Sequence, residues 1–135
     1  MVDSGSRELS QKLGITSERT VALVHAPETF YIPMVEARRL KLSSGAPADI
    51  VLAFFLTHDE LVNEIAMLER LMRPRGALWI AWPKKSSGIV SNLSDQVVRD
   101  IMLARGLVDN KVCAINETFS ALRFVARRKK SPTHV

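Results

Sequence analysis

Lys84, Lys85, Ser86, Ser87 and Gly88 are the densest run of binding chemistry in this chain of 135 residues. Two ammonium groups, two hydroxyls and a glycine that lets backbone N–H groups come close are what a bound phosphate or carboxylate requires. The order is the reverse of the phosphate loop GxxxxGK[ST] and lacks its first glycine, so the run is a candidate anion site and not a nucleotide-binding motif. Its bland alternative is a polar loop joining a strand to a helix, which most such loops are. His25 closes the apolar run TVALVHA, a place where an imidazole can titrate near neutrality or simply be hydrogen-bonded at a strand end. Thr57 follows a second apolar run, DIVLAFFL.

Other reactive side chains read as structural. Cys113, between Val112 and Ala114, is expected to be a small core residue and not a nucleophile. Asp95 and Arg99 stand one helical turn apart, the spacing of a surface ion pair at a helix start. Glu117 falls at an expected hairpin tip, where an acid, a base and a solvated turn residue look alike. No catalytic residue is assigned. The three histidines, His25, His58 and His134, show no metal-ligand spacing, and a single cysteine excludes an intrachain disulfide. Neither a metal nor a cofactor is expected.

Composition sets the frame for these residues. With 47% hydrophobic and 24% charged residues, the chain has the make-up of a globular protein, and its length suits one domain. Its apolar runs are far too short to cross a bilayer, and MVDSGSRELSQ holds no apolar signal core, so a cytoplasmic location is expected. Arg127, Arg128, Lys129 and Lys130 supply four of the five net positive charges, leaving a nearly neutral body. Nucleic-acid binding therefore ranks last among the partner classes, and residues 127–135 read as a frayed basic tail behind a single domain over residues 1–126.

The elements that must position the candidate site follow from periodicity. Residues 20–26, 49–56 and 77–82 are apolar on successive positions, as in strands covered on both faces. Leu9, Leu13 and Ile15, around Ser6 as a cap and Gly14 as a stop, suggest a short N-terminal helix. Leu61, Ile65, Leu68 and Met72 recur at helical spacing behind a Thr57–Glu60 capping box, with Arg73, Pro74 and Gly76 as the stop. A second helix is expected from Ser94 to about Arg105, with Val97, Val98, Ile101 and Met102 on its apolar side and Gly106 after it. Residues 111–116 and 122–126 are β-like and closely connected, which predicts an antiparallel hairpin. Residues 28–48 stay open, because Pro33 interrupts any long helix and MVEARRLKL suits a short helix followed by an edge strand.

This order predicts an α/β, three-layer Rossmann-like domain, with a mostly parallel sheet of about five strands ending in an antiparallel hairpin. In such a sheet the strand-to-helix loops emerge at the carboxyl edge, where ligands usually bind. That edge would gather His25, Thr57, His58, the loop of residues 84–88 and, if residues 111–116 run parallel, the hairpin tip. Trp79 and Trp82 would face opposite sides of the sheet, Trp79 toward the core.

Two resemblances come with these residues. The run from DIVLAFF through LERLMRPRGALWIAWP to the hairpin resembles the second half of class I S-adenosylmethionine-dependent methyltransferases, which implies their fold. Those enzymes carry an acidic residue and a glycine-rich loop after the first strand, where this chain has VALVHAPETF. They also hold the ribose with an acidic residue after the second strand, where this chain has RRLKLSSG. Across most of its length the chain also resembles an uncharacterised bacterial family of small proteins, through KLGI, VALVHAP, GALWIAWPKKSSG, VVRDIMLARGLVDNKVCAI and ETFSALRFVARR. Lys84, Ser87 and Gly88 match that family's pattern, whereas Asn92, Gln96, Asn116 and Phe119 depart from it.

The sequence therefore points to a non-catalytic domain that binds a small anion or a partner at the carboxyl edge, through Lys84, Lys85, Ser86, Ser87 and Gly88 with His25 and Thr57 nearby. Two other classes stand beside it: a divergent S-adenosylmethionine-dependent methyltransferase, and a homodimer or other interaction protein that needs no small ligand.

Overall fold

The structure is a computed structural model that describes residues 9–41 and 45–127. Six strands form one sheet in the order β2-β1-β3-β4-β6-β5: β1 (Val21–Val24), β2 (Arg38–Leu40), β3 (Ala48–Phe54), β4 (Met72–Pro83), β5 (Leu107–Ala114) and β6 (Phe119–Ala126). β2, β1, β3 and β4 are parallel, and β6 is antiparallel to both β4 and β5. β5 therefore runs parallel to β4, and the β5–β6 turn lies at the carboxyl edge. The α/β class, the mostly parallel sheet and the closing hairpin are as expected. A sixth strand, β2, falls inside the segment that the sequence leaves open and is the edge strand considered for MVEARRLKL, with no helix before it.

The two central strands explain the continuous apolar runs. Val51, Ala53, Leu78 and Ile80 face a core built with Leu61, Ile65 and Leu68 of α1 (His58–Leu71) and with Val98 and Met102 of α2 (Asp95–Leu103). Ile50, Leu52, Trp79 and Ala81 face a second core closed by Leu13, Phe30 and Ile32. One layer of helices thus covers one face, and the N-terminal segment with residues 26–37 covers the other. Trp79 and Trp82 do fall on opposite faces, and both are buried, Trp82 in the core under the helices. Trp79 Nε1 donates to the Leu13 carbonyl at 3.2 Å, which satisfies its one polar atom and ties the N-terminal segment to the sheet.

The local signals act as their chemistry requires. The Thr57 hydroxyl accepts from the Glu60 N–H at 3.2 Å, and the Glu60 carboxylate accepts from the backbone N–H groups of Leu56 and Thr57, a complete capping box. α1 ends at Leu71, a residue earlier than its periodicity suggests, because Met72 is extended and opens β4. Between Met72 and Ala77 the register with β3 breaks, and the Arg73–Gly76 stretch is accommodated there. The Ser94 hydroxyl caps α2 through the Val97 N–H, and Gly106, at φ 85°, makes the left-handed turn into β5. Arg99 pairs with Asp109 on β5, at 3.1 Å from Nε to the carboxylate, in place of the expected partner Asp95. That bond pins the helix to the outermost strand. Ser6 and the tail after Arg127 lie outside the described residues.

Candidate functional site

Four chain segments end together at the carboxyl edge: β1 at Val24, β3 at Phe54, β4 at Pro83, and the hairpin between Ala114 and Phe119. Between the first two and α1 lies a cavity of about 430 Å³. Pro27, Phe54, Phe55, Leu56, Ile89 and Phe119 make its apolar wall, and among the described residues His25, Glu60 and Glu64 supply its ionisable groups. The aromatic wall is built edge to face, with Phe54 and Phe119 ring centres 5.1 Å apart and Phe30 behind Phe54 at 5.0 Å.

His25 is the residue around which this cavity is organised. Its backbone is left-handed, at φ 58°, a conformation that costs a non-glycine residue on the order of 1 kcal/mol and persists only where the surroundings hold it. Three contacts hold it. The His25 N–H donates to the Leu40 carbonyl at 3.0 Å, continuing the β1–β2 ladder by one residue. The imidazole stands edge-on to Phe55 at 5.5 Å. Its Nε2 lies 2.6 Å from Glu64 Oε2, a charge-assisted distance, with the two side chains 30% and 15% exposed.

The loop after β1 is fixed from below. Arg39 Nη1 donates to the Phe30 carbonyl at 2.8 Å and Nη2 to the Pro27 carbonyl at 2.7 Å, so one guanidinium clamps the turn that carries Pro27 into the cavity wall. On the far side the Asn116 carboxamide oxygen accepts from the N–H groups of Thr118 and Phe119, which shapes the hairpin and aims Phe119 inward.

The lysine and serine run has a different place. Residues Lys85–Ser87 form a single 3-10 turn, with Gly88 in the left-handed region at φ 79°. The Ser87 hydroxyl donates to the Lys84 carbonyl at 2.7 Å and accepts from the Ile89 N–H at 3.1 Å. The Lys84 N–H donates to the Thr118 carbonyl at 2.7 Å. The hydroxyl of Ser87 and the backbone of Lys84 are thus engaged in building the loop, and among its residues and the ones that follow it is Ile89 that reaches the cavity wall. Thr57 sits behind Leu56, with its hydroxyl engaged in the helix cap. His58 lies outside the cavity wall, with its N–H bound by the Asn92 side chain at 2.8 Å.

Of the candidate ligand-binding residues read from sequence, His25 alone is among the described residues that line the cavity. Glu64 is missed by sequence reasoning, because a carboxylate flanking the apolar stripe of α1 has no signal separating it from any solvated helix residue. Its spacing from Glu60, one turn earlier, is the available hint: both fall along the same line of the helix. Cys113 is buried, and desolvation raises its thiol above the ordinary value, consistent with an unreactive core residue. A larger recess of about 1050 Å³ lies at the opposite, amino edge between residues 15–21 and 33–38. The carboxyl-edge cavity, which joins a histidine and a carboxylate at the edge where open α/β sheets hold their ligands, is the candidate site. Among the described residues no cluster of histidine, cysteine and carboxylate groups is suited to a metal ion. Among the described residues no helix is long and apolar enough to cross a membrane.

No family model and no curated protein matches the chain. Solved structures do. A SAM-dependent methyltransferase from Aquifex aeolicus is similar over 88% of this chain and 88% of its own, with a TM-score of 0.67 and 16% identity. A putative type 11 methyltransferase from Sulfolobus solfataricus is similar over 97% of this chain and 84% of its own, with a TM-score of 0.53 and 13% identity. LepI, solved in complex with SAM, matches 91% of this chain but only 40% of its own, with a TM-score of 0.52 and 10% identity. At these identities the likeness shows a methyltransferase-like fold.

Proposed function

We propose that this chain, a methyltransferase-like domain without a glycine-rich first loop, binds a small organic ligand in the cavity at the carboxyl edge of its sheet. The observation that carries this reading is the convergence of His25, Glu64 and an aromatic wall on one cavity of about 430 Å³ at the edge where open α/β sheets hold their ligands. The wall suits a flat apolar body, and the His25–Glu64 pair suits a hydrogen-bonding group on it. No lysine or arginine lines the cavity among the described residues. An anionic substituent would instead meet Lys84 and Lys85 outside it, where the loop of Ser86, Ser87 and Gly88 leaves the same edge.

A second reading is a divergent S-adenosylmethionine-dependent methyltransferase, favoured by the fold of the neighbouring structures. Against the usual mode of cofactor binding stands the loop after β1, where His25, Ala26 and Pro27 occupy the place of the flexible glycines.

Thermal melting of the purified protein tests both. A ligand present at a hundred times its Kd stabilises the native state by about 2.7 kcal/mol, a rise of roughly 10 °C for a domain of this size. The expected result is a rise with neutral aromatic compounds or with adenosylmethionine and adenosylhomocysteine that Ile89→Lys abolishes. A rise only with phosphates or carboxylates, lost in Lys84→Ala with Ser87→Ala and kept in Ile89→Lys, would move the site to the loop. Absence of any rise, together with a concentration-dependent dimer, would replace the ligand by a second copy of the chain.

A further inference from the structure

We propose that His25 and Glu64 form a proton-accepting pair, and that the ligand is an aromatic compound carrying an O–H or N–H that it presents to His25 Nδ1. This inference deepens the cavity reading and rests on it. A carboxylate only accepts hydrogen bonds, so the 2.6 Å contact to Glu64 Oε2 requires the imidazole to carry its proton on Nε2. That choice of tautomer leaves Nδ1 with a bare lone pair. Among the described residues no group donates a hydrogen bond to Nδ1. His25 lines the cavity with its side chain 30% exposed, so Nδ1 is the nitrogen left to meet a ligand.

The ring is set in place more firmly than packing alone would need. A left-handed backbone, the bond to Leu40, the edge contact with Phe55 and the bond to Glu64 all fix it, and strain of this kind gathers where a side chain must keep one orientation. When the ligand's O–H gives up its proton, the O–H bond breaks, an Nδ1–H bond forms, and the products are an oxyanion and an imidazolium. Glu64 then holds the new positive charge, as an orienting carboxylate does for a histidine base. Glu60, the remaining ionisable group of the wall, is occupied by the cap of α1 and leaves this role to Glu64. The same wall, with Phe54 and Phe119 at an edge-to-face angle of 86°, presents ring edges and faces to a flat partner.

Two measurements on the full chain test this. Long-range proton–nitrogen correlation spectra of the 15N-labelled protein above neutral pH should show His25 protonated on Nε2 and bare on Nδ1, and the opposite tautomer would overturn the proposal. In titrations followed by ligand fluorescence, naphthol should bind at least ten times more tightly than its methyl ether, which has the same body and no proton to give. His25→Asn, which tolerates the left-handed backbone, should erase that ratio while the protein still melts cooperatively, and Glu64→Gln should reduce it. Equal binding of naphthol and ether by the native protein would sink the proton-accepting role and leave the cavity reading standing. Binding of neither would remove the cavity reading, and this inference with it.

Discussion

Thr20 and Asp49 clasp each other across the amino ends of β1 and β3. The Asp49 carboxylate accepts from the Thr20 N–H at 2.8 Å and from its hydroxyl at 3.1 Å, while the Asp49 N–H donates to the Thr20 hydroxyl at 3.0 Å. The Thr20 carbonyl in turn accepts from the Ile50 N–H at 2.9 Å. The parallel strands are thus joined at the edge opposite the cavity, and they stay paired as far as Val24 and Ala53, just before His25 and Phe55 meet at the other edge. Fixing the strands at one edge lets loops of unlike sequence diverge at the other.

This clasp should make stability fall in acid. The Thr20 N–H holds the Asp49 carboxyl below the ordinary 3.8, helped by the Thr20 hydroxyl and the charges of Arg73 and Arg19, against a smaller opposing effect of burial. A carboxyl depressed in the native state stabilises it fully above the unfolded value, and the contribution is lost as pH falls below about 4 through the native value. Urea unfolding at pH 7 and pH 3 should show Asp49→Asn less stable than the native chain at pH 7, with the difference shrinking at pH 3. An unchanged difference would show that the carboxylate charge is not what stabilises the clasp.

Gly76→Ala should destabilise the protein by about 2 kcal/mol or more, as overpacking against rigid backbone does. A methyl group there would lie 2.5 Å from the Asp49 carbonyl oxygen and 3.1 Å from that of Arg73, and neither is the end of a flexible side chain. Denaturant midpoints would read the loss, and a cost under 0.5 kcal/mol would mean that the irregular β3–β4 register yields freely.

A double-mutant cycle on His25→Asn and Glu64→Gln should give a coupling of about 1 to 2 kcal/mol, the range for hydrogen-bonded charged partners that are only partly exposed. Additive effects would show that the 2.6 Å contact contributes nothing to the folded state.

Cys113 should react with iodoacetamide only as fast as the protein opens. Burial raises its thiol, with Lys12 and Lys111 opposing weakly. A raised native value also means stability that is whole below the ordinary 9.0 and declines as pH climbs past it, because the unfolded chain ionises first. Alkylation rates in water and in denaturant, with unfolding curves at pH 8 and pH 10 for the native chain and Cys113→Ala, would check both. Native-state alkylation as fast as that of the unfolded chain would contradict the burial.

The parts of this protein that are legible in one dimension are those set by neighbours along the chain. Val51 to Phe54 and Leu78 to Trp82 are short, apolar on consecutive positions and rich in β-branched and aromatic residues, the pattern of a strand covered on both faces. Thr57 and Glu60 satisfy each other within one turn, and Leu61, Ile65 and Leu68 recur at helical spacing. Those local rules were enough to predict a parallel sheet with a closing hairpin, and to place His25 at the edge where a ligand would sit. Lys84, Ser87 and Gly88 look the same in sequence whether they hold an anion or shape a loop. Only the fold shows that the Ser87 hydroxyl is engaged in building its own turn. Glu64 lies 39 residues from His25, and no rule of spacing joins them. β2 stays an open option in sequence, an edge strand after a short helix in MVEARRLKL, because three residues at a sheet edge bury too little to leave a pattern that decides it. The cavity was decided by tertiary structure alone, since its wall comes from β1, β3, α1, the loop after β4 and the hairpin, and distances between such segments are set by packing in space and not by order along the chain.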